Sequence, residues 1–156
     1  MAISASMVKE LRERTGLGMM DCKNALVEAG GDMESAIDNL RKSSGMKAAK
    51  KAGRIASDGM ISVKVSPDRQ FGIMVEVNCE TDFAARDENF IDFVQLVANK
   101  AYAERVTSTD VLLSLGLEPL RESLVQKIGE NISIRRVEVF NRPHVFSYVH
   151  TNNKIG

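Results

Sequence analysis

The groups that could do covalent chemistry are few: Cys22, Cys79, His144 and His150 are the only cysteines and histidines in 156 residues. Neither cysteine has a CxxC partner or a histidine cluster around it, so the sequence lacks the spacing of a zinc site or a redox pair. Pairing either histidine with Cys22 or Cys79 as a nucleophile dyad has no local signature behind it. A P-loop, a GxGxxG after a strand, GxSxG and HExxH are all missing. Both cysteines read as small buried apolar residues in a reducing compartment. The expectation is a protein that is not an enzyme, with no catalytic residue, cofactor or metal of its own.

Two other segments could act on a partner without bond chemistry. In Cys79-Glu80-Thr81-Asp82-Phe83-Ala84-Ala85-Arg86-Asp87-Glu88, one aromatic residue sits amid acidic and small ones. Either Thr81 or Asp82 caps the next helix and Phe83 staples its first turn, or Phe83 projects from a strand-to-helix corner as an interface anchor. In Arg14-Thr15-Gly16-Leu17-Gly18-Met19-Met20-Asp21, two flexible thioethers at a helix start are either core filler or an adaptable binding patch. Residues alone leave both choices open.

Period-3.6 apolar spacing predicts the elements that must carry these segments. Met7, Val8 and Leu11 behind a Ser4 cap, then Cys22, Ala25, Leu26 and Ala29, then Met33, Ala36, Ile37 and Leu40 behind Asp32, make a three-helix bundle over residues 1–42. The all-basic stretch from Arg41 to Arg54, with its serines and glycines, reads as a solvated linker over 43–54, partly helical from Lys47 to Ala52. An α+β core over 55–142 follows. Ile61, Val63 and Val65 alternate, Ser66-Pro67-Asp68 turns, and Phe71, Ile73, Val75 and Val77 line a second strand, giving a hairpin with one buried face. Phe90, Phe93, Val94, Val97 and Ala101 stripe a long helix. Val111–Leu115 and Leu117–Ile128 supply two more helical patterns, the second with Leu117, Leu120, Leu124 and Ile128 along one side. The strand from Ile132 shifts phase at Arg135-Arg136, a bulge signal. Alternation then returns from Val145 to His150. Helices, hairpin, helices and strands in this order define an α+β class with a separate helical head and an antiparallel sheet packed on helices.

Composition limits the partners. Lys+Arg and Asp+Glu each number 21, so the formal net charge of zero argues against a generic nucleic-acid binder. Aromatic residues make up 5% of the chain and Trp is absent, which makes Phe83 conspicuous. The sequence has neither an apolar stretch of membrane-spanning length nor a secretory or transit signal at its start, so a cytoplasmic protein without a membrane partner is expected.

Five motifs together resemble the bacterial translation elongation factor Ts family. They are Val8-Lys9-Glu10-Leu11-Arg12-Glu13-Arg14-Thr15-Gly16 running into Met19-Met20-Asp21-Cys22-Lys23; Lys50-Lys51-Ala52-Gly53; Glu76-Val77-Asn78-Cys79-Glu80-Thr81-Asp82-Phe83; Lys127-Ile128-Gly129-Glu130-Asn131-Ile132; and Ser147-Tyr148-Val149-His150. The resemblance runs through essentially the whole chain in family order. It implies a guanine-nucleotide exchange factor that binds elongation factor Tu, both GDP-bound and nucleotide-free, with a head of ubiquitin-associated type. Thr81, Asp82, Phe83 and Ala84 would then be the corner that disturbs the partner's Mg²⁺ site, with Ala84 standing where many members carry Val. Arg12, Met19 and Met20 on the head, with Ile128, Gly129 and His150 on the core, would be further partner contacts.

Family members usually continue with a second core half, so this chain is expected to be an N-terminal portion or a short form. Residues 143–156 would begin that second half, and a short form would complete its core as a homodimer. Two rivals predict other behaviour. A ubiquitin-associated-type interaction module without exchange activity would keep its binding after loss of residues 55–156, and an RNA-associated factor working through the basic linker would show strong salt dependence.

Overall fold

A computed structural model describes residues 3–156; Met1 and Ala2, counted in the 1–42 bundle, lie outside the described residues. Helix α1 (Ala5–Thr15) begins where Ser4 Oγ accepts from the Met7 amide at 3.3 Å. Helix α2 (Met19–Glu28) follows, then α3 (Met33–Lys51), capped by an Asp32 carboxylate that accepts from Ser35 N at 2.8 Å. Leu11, Cys22, Leu26, Ala36 and Leu40 bury together as the faces predicted from their spacing.

The helical part expected from Lys47 is present, but the stretch 43–54 is not a linker set apart from the third helix, because α3 runs unbroken from Met33 to Lys51. Ser44 and Ala48 are buried, so this part of the helix has an apolar seat as well as a basic surface. Its neighbour is α7 (Glu118–Ile128), where the Gln126 side chain bonds Ser44 Oγ. Basic composition identified the wet side of the helix and concealed the small residues on its dry side.

Strands β1 (Asp58–Val65), β2 (Phe71–Cys79) and β3 (Ser133–Asn141) form one antiparallel sheet in that order. Between β2 and β3 run α4 (Asp82–Ala85), α5 (Glu88–Glu104) and α6 (Thr109–Leu112). A wide turn at Leu113–Leu117 then leads to α7. Helix α5 packs on the sheet and buries Phe90, Val94 and Val97 with Ile73, Val75 and Val77. In α7 it is Val125 that joins Leu117 and Leu124 in the core, while Leu120, expected on that stripe, is exposed.

The phase of β1 is the reverse of a simple hairpin with one buried face. Met60 pairs with Val77, Ser62 with Val75 and Lys64 with Ile73, and paired residues share a face. The side toward α5 therefore carries Ser62, whose Oγ reaches Gln95 at 3.4 Å, and Lys64, which bonds Asn99. Ile61, Val63 and Val65 point the other way and are half-buried there. The chain after β3 lies over this second face: a Cβ built on Gly156 would lie 2.6 Å from Ile61 Cδ1, and one on Gly72 2.9 Å from Val145 Cγ1.

Val145–His150 forms no strand. Val145 N donates to Arg69 O at 2.7 Å at the hairpin turn, after which the tail folds back on itself through His150 N to Ile155 O at 2.8 Å. The expected bulge is present: Arg136 pairs with Glu76 and Ile134 with Val77, leaving Arg135 as the extra residue.

Gly59 gives the fold a sharp test. Its φ is +138°, and an added Cβ would lie 2.1 Å from the Val77 carbonyl oxygen. Gly59→Ala should lower the unfolding free energy by about 3 kcal/mol, whereas Gly53→Ala, with no atom within 4 Å of its Cβ position, should leave it nearly unchanged. Urea unfolding of the two variants makes the comparison; equal stabilities would contradict the β1–β2 register.

Candidate functional site

The strand-to-helix corner is built from Cys79 onward. Cys79 ends β2 fully buried, and its Sγ donates to the Thr81 carbonyl at 3.2 Å. Burial pushes the thiol up to about 12, with Glu130 and Asp58 adding to the shift. Thr81 caps α4: its Oγ1 accepts from Ala84 N at 3.3 Å. A single helical turn turns successive side chains about 100° apart. Ala84 enters the core, and Phe83 is left 79% exposed. The capping expectation thus holds for Thr81, and the staple alternative for Phe83 does not. Asp82 is engaged locally by Arg86 at 2.8 Å.

The corner is held from outside. Glu130 Oε2 accepts from the Glu80 amide at 2.9 Å and the Thr81 amide at 3.0 Å, while Oε1 accepts from Thr81 Oγ1 at 2.5 Å. In return Glu80 Oε1 accepts from the Asn131 amide at 2.7 Å and lies 3.6 Å from the Arg54 guanidinium. Asn131 Nδ2 donates to the Arg54 carbonyl at 2.8 Å, and Lys51 Nζ to the Gly129 carbonyl at 2.9 Å. Gly129 closes α7 at φ +85°, a conformation that glycine adopts without a Cβ penalty and that delivers Glu130 to this position.

The remaining expected residues divide between the two bodies of the fold. Ile128 is half-buried against the core and adjoins the corner through Gly129 and Glu130. His150 lies exposed in the tail, where its Nδ1 is 2.8 Å from Tyr148 Oη. Downstream of it, Thr151, Asn153 and Lys154 bound a cleft of about 290 Å³ with Asp82, Ala85 and Arg86. Arg12, Met19 and Met20 are all exposed on the head, the two methionines by 54% and 64%, so neither thioether is core filler. Asp21 in the same turn bonds Lys47 of α3 at 3.1 Å. These head residues share no hydrogen bond with the corner.

Glu80, Glu130 and Asn131 lie within the family-like motifs, yet residue type and spacing assign them no role. The signal within reach was a glycine helix stop followed at once by a carboxylate, Gly129-Glu130. Its partners lie 49 and 50 residues away, beyond any local pattern.

Phe83 on the pinned corner and the Met19–Met20 pair on the helical head are thus apolar groups that the fold leaves in water. A family model described as Elongation factor TS matches residues 80–156. The chain is 61% identical to elongation factor Ts of Hahella chejuensis over 155 residues, covering 99% of this chain and 54% of that protein. It is 57% identical to the factor of Saccharophagus degradans, covering 100% and 54%, and 56% identical to that of Yersinia pestis, covering 96% and 52%. The chain belongs to the elongation factor Ts family and spans about half the length of the curated relatives it matches.

The raised Cys79 pKa predicts an inert thiol. Between its ordinary value of 9.0 and about 12 the folded state holds a proton that the unfolded state has lost. Stability from this group is therefore complete below pH 9.0 and falls as pH rises toward 12. At pH 8 a thiol reagent should modify Cys79 only as fast as the protein opens. Peptide mapping of the labelled cysteine after partial reaction checks this; fast native-state labelling at Cys79 would contradict it.

Proposed function

We propose that the protein is a guanine-nucleotide exchange factor that works in the cytoplasm on elongation factor Tu. It binds the GDP-bound partner, disturbs its Mg²⁺ site and leaves it nucleotide-free for GTP. The observation that carries this reading is Phe83, 79% exposed on a corner whose backbone is tied to the core. A large exposed aromatic gains most from burial in a partner pocket, and a fixed backbone keeps the ordering cost of that step low. Family membership supports the choice of partner.

Magnesium in a G domain compensates phosphate charge, so displacing it weakens nucleotide binding. Thr81 and Ala84 hold the turn, Phe83 enters between side chains of the partner, and Asp82 stands beside the metal's polar ligands. The head, which we read as of ubiquitin-associated type, holds the partner elsewhere through Arg12, Met19 and Met20. Ile128, Gly129 and His150 extend the contact around the corner. Coupling is reciprocal: if the factor weakens GDP by about 3 kcal/mol, GDP weakens the factor equally, a ~150-fold effect. No bond is made or broken, so the protein is not an enzyme in the bond-making sense.

Stopped-flow release of a fluorescent GDP analogue from elongation factor Tu tests the reading. The parent chain should accelerate release, and Phe83→Ala should slow it about 30-fold, the effect of an interface hot spot, while unfolding at the parent temperature. Release by Phe83→Ala at the parent rate would remove the wedge role. For the head, Met19→Ala combined with Met20→Ala should weaken complex formation roughly tenfold by calorimetry with unfolding unchanged. Equal affinity would exclude the thioether patch from the interface.

A further inference from the structure

We infer that Glu130 is a positioning residue for Phe83, acting through Thr81, and this inference rests on the exchange reading above. Helix α4 has only four residues, too few to hold a helical turn by its own hydrogen bonds. Its direction must be imposed at its N-cap, Thr81. Glu130 does so with both oxygens: Oε2 accepts from the Glu80 and Thr81 amides at 2.9 and 3.0 Å, and Oε1 accepts from Thr81 Oγ1 at 2.5 Å.

That last bond also sets the cap. A hydroxyl has one proton to donate and lone pairs to accept with. With its proton committed to Glu130, Thr81 Oγ1 presents a lone pair to Ala84 N at 3.3 Å. A relay of bonded atoms therefore runs from the Glu130 carboxylate through Thr81 Oγ1 to the amide of Ala84, whose side chain is buried. Phe83, the residue between Thr81's cap bond and the Ala84 anchor on this turn, faces out as a result.

A second set of bonds keeps Glu130 itself in place. Asn131 is tied to the Glu80 carboxylate and to the Arg54 carbonyl, at 2.7 and 2.8 Å, and Lys51 holds Gly129 O at 2.9 Å. The support of the corner is thus anchored to the end of α3.

The test pairs a measurement on the free protein with one on exchange, using Glu130→Ala and the milder Glu130→Gln, which keeps one acceptor oxygen and covers the case in which the alanine variant does not fold. Amide hydrogen exchange by NMR should show protection at Thr81 and Ala84 falling between about 10- and 100-fold, with α5 amides unchanged. GDP-analogue release from elongation factor Tu, measured at saturating factor, should slow by a similar range, since an ångström-scale misplacement costs up to about 100-fold. In a Phe83→Ala background, adding either Glu130 substitution should slow release no further. Retained protection at Thr81 and Ala84, lost protection with unchanged release, or full additivity with Phe83→Ala would each overturn the inference. If the parent chain does not accelerate release at all, the exchange reading fails by itself, and the amide protection still decides whether Glu130 positions the corner.

Discussion

Two carboxylates tie the β2–α4 corner to the α7–β3 turn, each accepting from the backbone of the other's segment. Glu130 accepts from Glu80 N at 2.9 Å and Glu80 from Asn131 N at 2.7 Å, across 50 and 51 residues of chain. Strand β2 leaves the sheet here, and its last amides need partners that the ladder no longer supplies. Charged acceptors meet that need with bonds roughly twice as strong as neutral ones. Arg54 at 3.6 Å from Glu80, together with the converging N–H groups, offsets the repulsion between the two acids. Closing a loop of this length costs entropy once, and both ends of the clasp are then held by the same core.

The clasp explains why an apolar side chain can stay in water on a well-ordered corner. Ala84 is taken by the core and Thr81 by Glu130, so the turn between them has no freedom to bring Phe83 inside. The same turn leads directly into α5, capped by Asp87, whose carboxylate accepts from Asn89 N at 2.8 Å. Helix α3 extends this order to the head. Asp21–Lys47 joins it to α2, Ser44–Gln126 to α7 and Lys51–Gly129 to the base of the clasp. The thioether pair and the aromatic corner are thereby carried on one continuous framework.

Local periodicity made much of the fold legible. The head's three faces, the α5 stripe and the bulge at Arg135 follow from residue spacing because each is set by neighbours within a few positions. What periodicity could not give is pairing between distant segments. Ser62 and Lys64 sit on the α5 side because Gln95 and Asn99 receive them there, so β1 runs against its apolar phase. Ser44 and Ala48 are buried because α7 lies alongside, so a basic run that reads as a partly helical linker is the unbroken end of α3. The tail alternates like a strand, yet its first amide bonds the hairpin turn and the rest crosses the sheet face. At the site, the corner and Phe83 were visible as an aromatic among acids. Whether Phe83 turned in or out depended on where Glu130 finds its partners, 50 and 49 residues away, which the local Gly129-Glu130 pattern does not tell.

In the proposed mechanism Phe83 is the group that enters the partner. Replacing it with photoreactive benzoylphenylalanine and irradiating the chain with elongation factor Tu·GDP tests this directly. Position 83 should cross-link into the partner's G domain, and the cross-link should be lost when excess unmodified chain competes. A complex that forms yet gives no cross-link from position 83, while the same residue at position 146 or 148 gives one, would contradict it.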